Sequence, residues 1–222
     1  IPFSHVAGYH DDINAKSRDR IKPHVDGAVD EELFLATFKD YNRGLLAGPF
    51  YNEEDVIAYL KNSTPASAHD PNDWVLLCPR FPNISWRPYM KDGRIALKRK
   101  VRAIDDLTAS LINDCQSARD KMIMPSVRAI ALMINMAQNK LGSKDFMAAA
   151  MDESAAFRSV PMRVSELRYV VTVQYDPHLK IPFYTILKGN HFGAGSAVFS
   201  YGRKAFFQSF ICRAMGIAVD NF

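Results

Sequence analysis

Apolar positions along this chain change their period several times, and each change predicts an element. From Glu31 to Tyr41 the string EELFLATFKDY sets Phe34, Phe38 and Tyr41 on one helical face with Leu33 beside them, and Gly44 follows as a stop. Asn52 to Lys61, NEEDVIAYLK, opens on an N-cap residue and acids and closes on a lysine, an order that suits the helix macrodipole. The next run, NSTPASAHDPND, is dense in turn formers and predicts an exposed loop.

The pattern then shortens towards strands. WVLLCPRF is a short apolar run ended by a proline, and KVRAIDDL alternates charged with apolar residues, so both suit a small sheet. RPYMKDGRIALK between them is expected to be a loop that forms a hairpin. Pro125 to Leu141 returns to helical spacing through Val127, Ile130, Ala131, Met133, Ile134 and Ala137, with Met133 and Met136 expected as core filler. FMAAAMDES reads as a central strand, and RYVVTVQYD and PFYTILKG read as two strands joined at the turn signal DPHLK. A final helix from Gly193 to Met215, rich in Phe199, Phe206, Phe207 and Phe210, is entered through GNHFGAGS. The expected class is α+β.

Composition narrows the picture modestly. Hydrophobic residues at 48% and charged residues at 23% of 222 exclude a disordered chain and allow one large or two small domains. A net charge of +4 favours a polyanionic partner only weakly, so the distribution of charge matters more than its sum. Cys78, Cys115 and Cys212 form no CxxC pair and read as buried reduced thiols. The six histidines form no HExxH pair, and no apolar run reaches the roughly 18 residues of a membrane span. That pattern reads as a soluble intracellular protein, and the first residue, Ile1, with no charged n-region and apolar run before a cleavage site, reads as a chain excised from something longer.

Candidate chemistry concentrates in four strings. In MDESAAFRSVP, Met151 to Pro161, an acid closes an apolar strand, and an isolated Asp152 there needs a partner such as a metal, unless it caps a helix. KRKVRAIDDL clusters Lys98, Arg99, Lys100 and Arg102 ahead of Asp105 and Asp106, which as a bare charge run would be a solvated face. HFGAGSAVFSY places a small-residue turn before a helix, and YNRGLLAGPF carries Gly44, Gly48, Pro49 and Phe50.

The first string resembles motif A of reverse transcriptases, with Asp152, Ala156, Phe157, Val160 and Pro161 fitting its pattern. The second resembles their fingers strand, with Arg102, Ile104, Asp105 and Asn113 in the key places. The third resembles motif B, with Phe192 and Gly193 fitting and His191 where the family commonly has proline. The fourth resembles the Gly-x-x-x-Gly-Pro-Phe segment that opens the fingers in DIRS-like and LTR-type retroelements. All four stand in the family's order.

That resemblance implies a right-hand polymerase fold, with a helical lead-in over residues 1–40, fingers over 41–125 and a palm with an antiparallel sheet over 126–222. Asp152 would bind two Mg2+ ions, with the Glu153 carbonyl assisting, and the Ala155 and Ala156 amides would hold the incoming triphosphate. Phe157 would lie beneath the sugar and exclude a 2′-hydroxyl, or it is a plain core phenylalanine. Arg102 is the first choice for the phosphates and Lys100 or Lys98 the second, because a guanidinium donates in parallel where an ammonium is a point charge. Phe192 would pack against the incoming base pair, and Gly193 would let the chain's backbone approach the template nucleotide. The implied partners are dNTPs and an RNA or DNA template-primer duplex.

GIAVDNF ends where the aromatic of the Phe-x-Asp-Asp box is expected, so two of the three catalytic carboxylates are expected beyond Phe222. A chain without them would be a catalytically inactive nucleic-acid-binding or scaffold protein that retains the fold.

Overall fold

The computed structural model of this chain describes residues 1–63, 74–116, 127–141 and 155–214. The expected FMAAAMDES strand and residues 64–73 of the expected loop lie outside that set. So do Asp152 and Glu153.

Three helices lead in: α1 (Phe3–Gly8), α2 (His10–Asp19) and α3 (Gly27–Asn42). Polar side chains fix α2 to the strand it covers. Asn14 donates to the Val75 carbonyl and accepts from the Leu77 amide, both at 2.8 Å, and Ser17 Oγ donates to Leu77 O at 3.0 Å. All three groups are buried, so each must be paired. Helix α3 starts four residues earlier than its aromatic spacing indicates, because Asp26 caps it by accepting from Ala28 N. Its buried face is Val29, Leu33 and Thr37, while Phe34 and Phe38 lie to one side against Phe183. Strand β1 (Leu46–Phe50) follows, then α4 (Glu53–Ser63), where Asn52 accepts from Asp55 N at 2.8 Å as the expected cap.

Strands β2 (Leu77–Lys91) and β3 (Arg94–Asp105) pair antiparallel in unbroken register from Arg80↔Asp105 to Lys91↔Arg94. RPYMKDGRIALK is therefore the expected hairpin, but with strand rather than loop on both sides of a two-residue turn at Asp92 (φ 51°) and Gly93 (φ 74°). The Asp-Gly pair is what a turn of this hand requires. The outer half of the hairpin leaves the body, so its residues carry no alternation of buried and exposed positions that would mark a strand.

Helices α5 (Ile112–Cys115) and α6 (Val127–Leu141) follow, then a 3-10 helix at Val164–Tyr169, strands β4 (Val171–Asp176) and β5 (Ile181–Leu187), and α7 (Gly195–Ala214). The strands form one sheet in the order β1-β5-β4-β2-β3. It is an α+β fold with a mixed sheet, not the expected antiparallel one, because β2 runs parallel to β4 from Leu77↔Val171 to Pro79↔Val173.

Alternation at the β2 entrance feeds a core on each face. Val75 and Leu77 join Val56, Leu60, Val171 and Ile186, whereas Trp74, Leu76 and Cys78 join Val6, Ile13, Leu107 and Ile112. Met136 is 67% exposed and so is not core filler; the Met133 side chain lies outside the described set. Helix α7 buries Ala197, Ala205 and Ser209 rather than its phenylalanines, and Phe206, Phe207 and Phe210 are exposed. Among the described residues no helix is long and apolar enough to cross a membrane.

Candidate functional site

The basic run lies along β3, where side chains alternate between faces. Lys98, Lys100 and Arg102 therefore share one face, opposite Arg87, Ser85 and Asn83 of β2. Arg102 Nη1 reaches Ser85 Oγ at 3.4 Å, a loose contact that leaves the guanidinium half-exposed. Arg99 faces the other way and is spent on Asp26 (2.7 Å) and Glu32 (2.5 Å). The sequence cluster of four cations thus resolves into three on one face and one, Arg99, held in two structural ion pairs.

Two residues beyond Arg102 the same face reaches Ile104, and there β3 meets the segment that resembles motif B. The Asp105 amide donates to Phe192 O at 2.9 Å. Gly193 lies so close that a Cβ on it would stand 2.2 Å from Asp105 O and 3.8 Å from Ile104 Cγ2, at φ 113°. Only glycine fits this approach. The close approach made here is to the chain's own backbone. Asn113 completes the join, donating to Gly193 O at 2.8 Å and accepting from Gly195 N at 2.9 Å, while Gln116 accepts from Ser196 N at 2.8 Å. These two side chains satisfy the first amides of α7.

Beneath this join is a buried charge network. Arg80 Nε donates to Asp105 Oδ1 at 2.6 Å with both side chains 0% exposed, and His191 Nδ1 lies 3.1 Å from Asp105 Oδ2. Burial alone would push the Asp105 carboxyl up, but Arg80 and His191 outweigh it and hold the group below its ordinary range. Arg80 Nη1 also donates to Thr37 Oγ1, which donates to Gln174 on β4. His191, standing where the resemblance expects proline, is thus an anchor for the turn. Arg80 belongs to this candidate site and was not among the residues singled out from the sequence, where its only signal is a cation inside an apolar run.

The described end of the segment that resembles motif A packs against the same turn. Phe157 meets Phe192 edge to face with ring centroids 5.3 Å apart, and meets Tyr201 of α7 at 5.6 Å. Arg158 lies over the Phe192 ring at 5.4 Å and is ion-paired with Asp40; burial draws its guanidinium down to about 10, still charged at neutral pH. Ala155 (φ 59°) and Ala156 open a turn in which Ala155 O accepts from Ser159 N at 3.0 Å and Ala156 O from Ser159 Oγ at 2.7 Å. Lys204 of α7 holds that serine at 2.7 Å. Further on, Asn190 N donates to Val160 O and Met162 N to Lys188 O, both at 2.9 Å.

The structure therefore brings together Phe157, Phe192 and Gly193, and sets Arg102, Lys100 and Lys98 on the face of β3 that leads there. Among the described residues no group of three or more His, Cys, Asp or Glu side chains could hold a metal ion, so magnesium rests on the sequence resemblance alone. No family model, curated protein or solved structure matches this chain.

Proposed function

We propose that this chain forms the fingers and part of the palm of a reverse transcriptase, which adds dNTPs to a primer 3′-hydroxyl under the direction of a template. The observation that carries this reading is the join between two strings that resemble different motifs of that family. Asp105 and Asn113 belong to the fingers-like string, Phe192 and Gly193 to the motif-B-like turn, and the two are bonded into one unit. A polymerase needs that adjacency, because the cations that take the triphosphate must lie beside the surface that takes the base pair.

In this reading Arg102, with Lys98 and Lys100 behind it, neutralises phosphate. The Phe157 and Phe192 pair forms an apolar wall for base and sugar, and the Arg80–Asp105–His191 network holds the wall against the strand. The magnesium-dependent transfer belongs to Asp152 and Glu153 by the resemblance, and the described residues supply binding and positioning.

Fluorescence anisotropy on a labelled RNA–DNA primer-template duplex tests the binding half. Affinity for residues 1–222 is expected to fall as salt rises, and Arg102→Ala to weaken it across sequences while reducing the salt slope by about one. Absent or salt-independent binding would overturn the reading. In a longer chain carrying an Asp-Asp pair after Phe222, primer extension in magnesium separates the enzyme from an inactive scaffold of the same fold.

A further inference from the structure

We infer that the outer half of the β2–β3 hairpin packs face to face on the same surface of a second copy of this chain, forming a reversible two-fold dimer through Trp86, Met90, Ile95 and Leu97. The inference concerns association and stands apart from the polymerase reading.

Register sorts the hairpin's side chains into two faces, because residues directly opposite one another in an antiparallel ladder point to the same side. Trp86↔Arg99, Pro88↔Leu97 and Met90↔Ile95 share one face, and Arg87↔Lys98 and Lys91↔Arg94 share the other. Helix α3 packs on β3 from the first side, since Arg99 is ion-paired with its cap residue Asp26 and with Glu32 inside it. That cover does not reach further out. Ile95 and Leu97 are 76% and 63% exposed, Trp86 and Met90 are 61% and 67% exposed, and Ile84, on the same face, is exposed as well. Contiguous apolar surface on this scale marks an interaction site, whereas single exposed side chains do not.

Charge, shape and size each fit a second copy. The strip's one cation, Arg99, is neutralised by two carboxylates, and Arg87, Lys91, Arg94 and Lys98 all point away from the strip. With two sheet faces packed about 10 Å apart, the cationic faces would lie outermost, separated by more than the Debye length of about 8 Å at physiological salt. Identical hairpins twist with one hand, so each presents to the other the aligned geometry in which sheet faces pack. The five side chains offer roughly 500 Å² of apolar surface per copy, or about 1,000 Å² for the pair, which is the lower bound of specific interfaces. That size gives a dimer with a Kd on the order of 10 μM, not an obligate one. A lipid surface that took the same strip would leave the four cations pointing away from its headgroups, which forfeits their attraction.

Sedimentation velocity on the 222-residue chain across the micromolar range, read beside tryptophan emission, tests this. The chain has two tryptophans and Trp74 is buried in the core, so a blue shift with rising concentration reports Trp86. A monomer–dimer equilibrium is expected, with emission and sedimentation sharing one midpoint. Leu97→Asn should raise that midpoint at least about tenfold, since a two-fold dimer carries the change twice. Phe210→Ser, at an exposed position of α7, should leave it in place. A monomer at every concentration, a dimer whose emission does not move, or a midpoint that Leu97→Asn leaves in place or Phe210→Ser moves as far would overturn the inference. So would binding to phosphatidylcholine–phosphatidylserine vesicles by a chain that stays monomeric in solution. Duplex anisotropy with Leu97→Asn, at concentrations where the chain is monomeric, is expected to match the parent, so the polymerase reading is scored separately.

Discussion

Changing Asp105 to Asn keeps the shape of the side chain and removes its charge, which isolates what the buried carboxylate does. Arg80 would then be a cation with a wholly buried side chain, with its Nη2 already lacking a hydrogen-bond partner among the described residues. Breaking one side of such a pair costs about 3–5 kcal/mol, because the remaining charge is buried without compensation. For a chain of this length each kcal/mol moves the midpoint by roughly 2–4 °C, so Tm should fall by roughly 6–20 °C in thermal unfolding followed by circular dichroism. Two companions make the result specific. Asp106→Asn alters a carboxylate that is 27% exposed and paired with an Arg20 that is 58% exposed, and should cost under about 1 kcal/mol. The double variant Arg80→Met with Asp105→Asn removes both charges and should recover much of the loss. A shift for Asp105→Asn no larger than that for Asp106→Asn, or a double variant less stable than the single, would refute the assignment of this pair as the anchor of the β3–turn join.

Three further outcomes follow from the same geometry. Gly193→Ala puts a methyl 2.2 Å from Asp105 O at a left-handed φ, so the turn must lift; a loss of about 2–4 kcal/mol in urea unfolding is expected, and less than 1 would contradict the close approach. Asp105 titrates below its ordinary value of 3.8 in the folded chain, so its contribution is present above that pH and lost as pH falls through the lowered value; the stability of Asp105→Asn measured against pH should lack this acid-side decline. Cys78 is buried with its thiol pushed up to about 12, whereas Cys115 is half-buried, so maleimide should label Cys115 well before Cys78, as peptide mass mapping would read.

Much of the scaffold was legible because its signals are local. The Asn52 cap, the Asp92–Gly93 turn and the paired runs of β4 and β5 each lie within a few residues of what they specify. The arms of the β2–β3 hairpin were misread as loop because tertiary burial, the usual source of a strand's alternation, is absent there. Helix α7 misled in the opposite sense: phenylalanines dominate its sequence, but its neighbours leave room only for Ala197, Ala205 and Ser209. At the site, the cationic strand and the glycine turn could be named one by one, yet their contact could not be seen. Asp105 meets residues 25 and 86 positions away, and no periodicity spans such distances.

The strand order carries a consequence for how this chain acquires its shape. β1 and β2 are consecutive among the described strands but are separated in the sheet by β5 and β4, the earlier of which begins 80 residues after β2 ends, at Val171 against Lys91. A nascent chain ending anywhere before Leu187 leaves a gap in the middle of the sheet, with β1 on one side and the long hairpin on the other. The late hairpin must slide between them as a wedge, antiparallel to β1 on one flank and parallel to β2 on the other. Closing loops of that length before any pairing is gained is slow, and it exposes strand edges meanwhile. Maturation of this sheet is therefore a single late event, and a cut near the middle of the chain would yield two pieces that each lack the other's neighbouring strands.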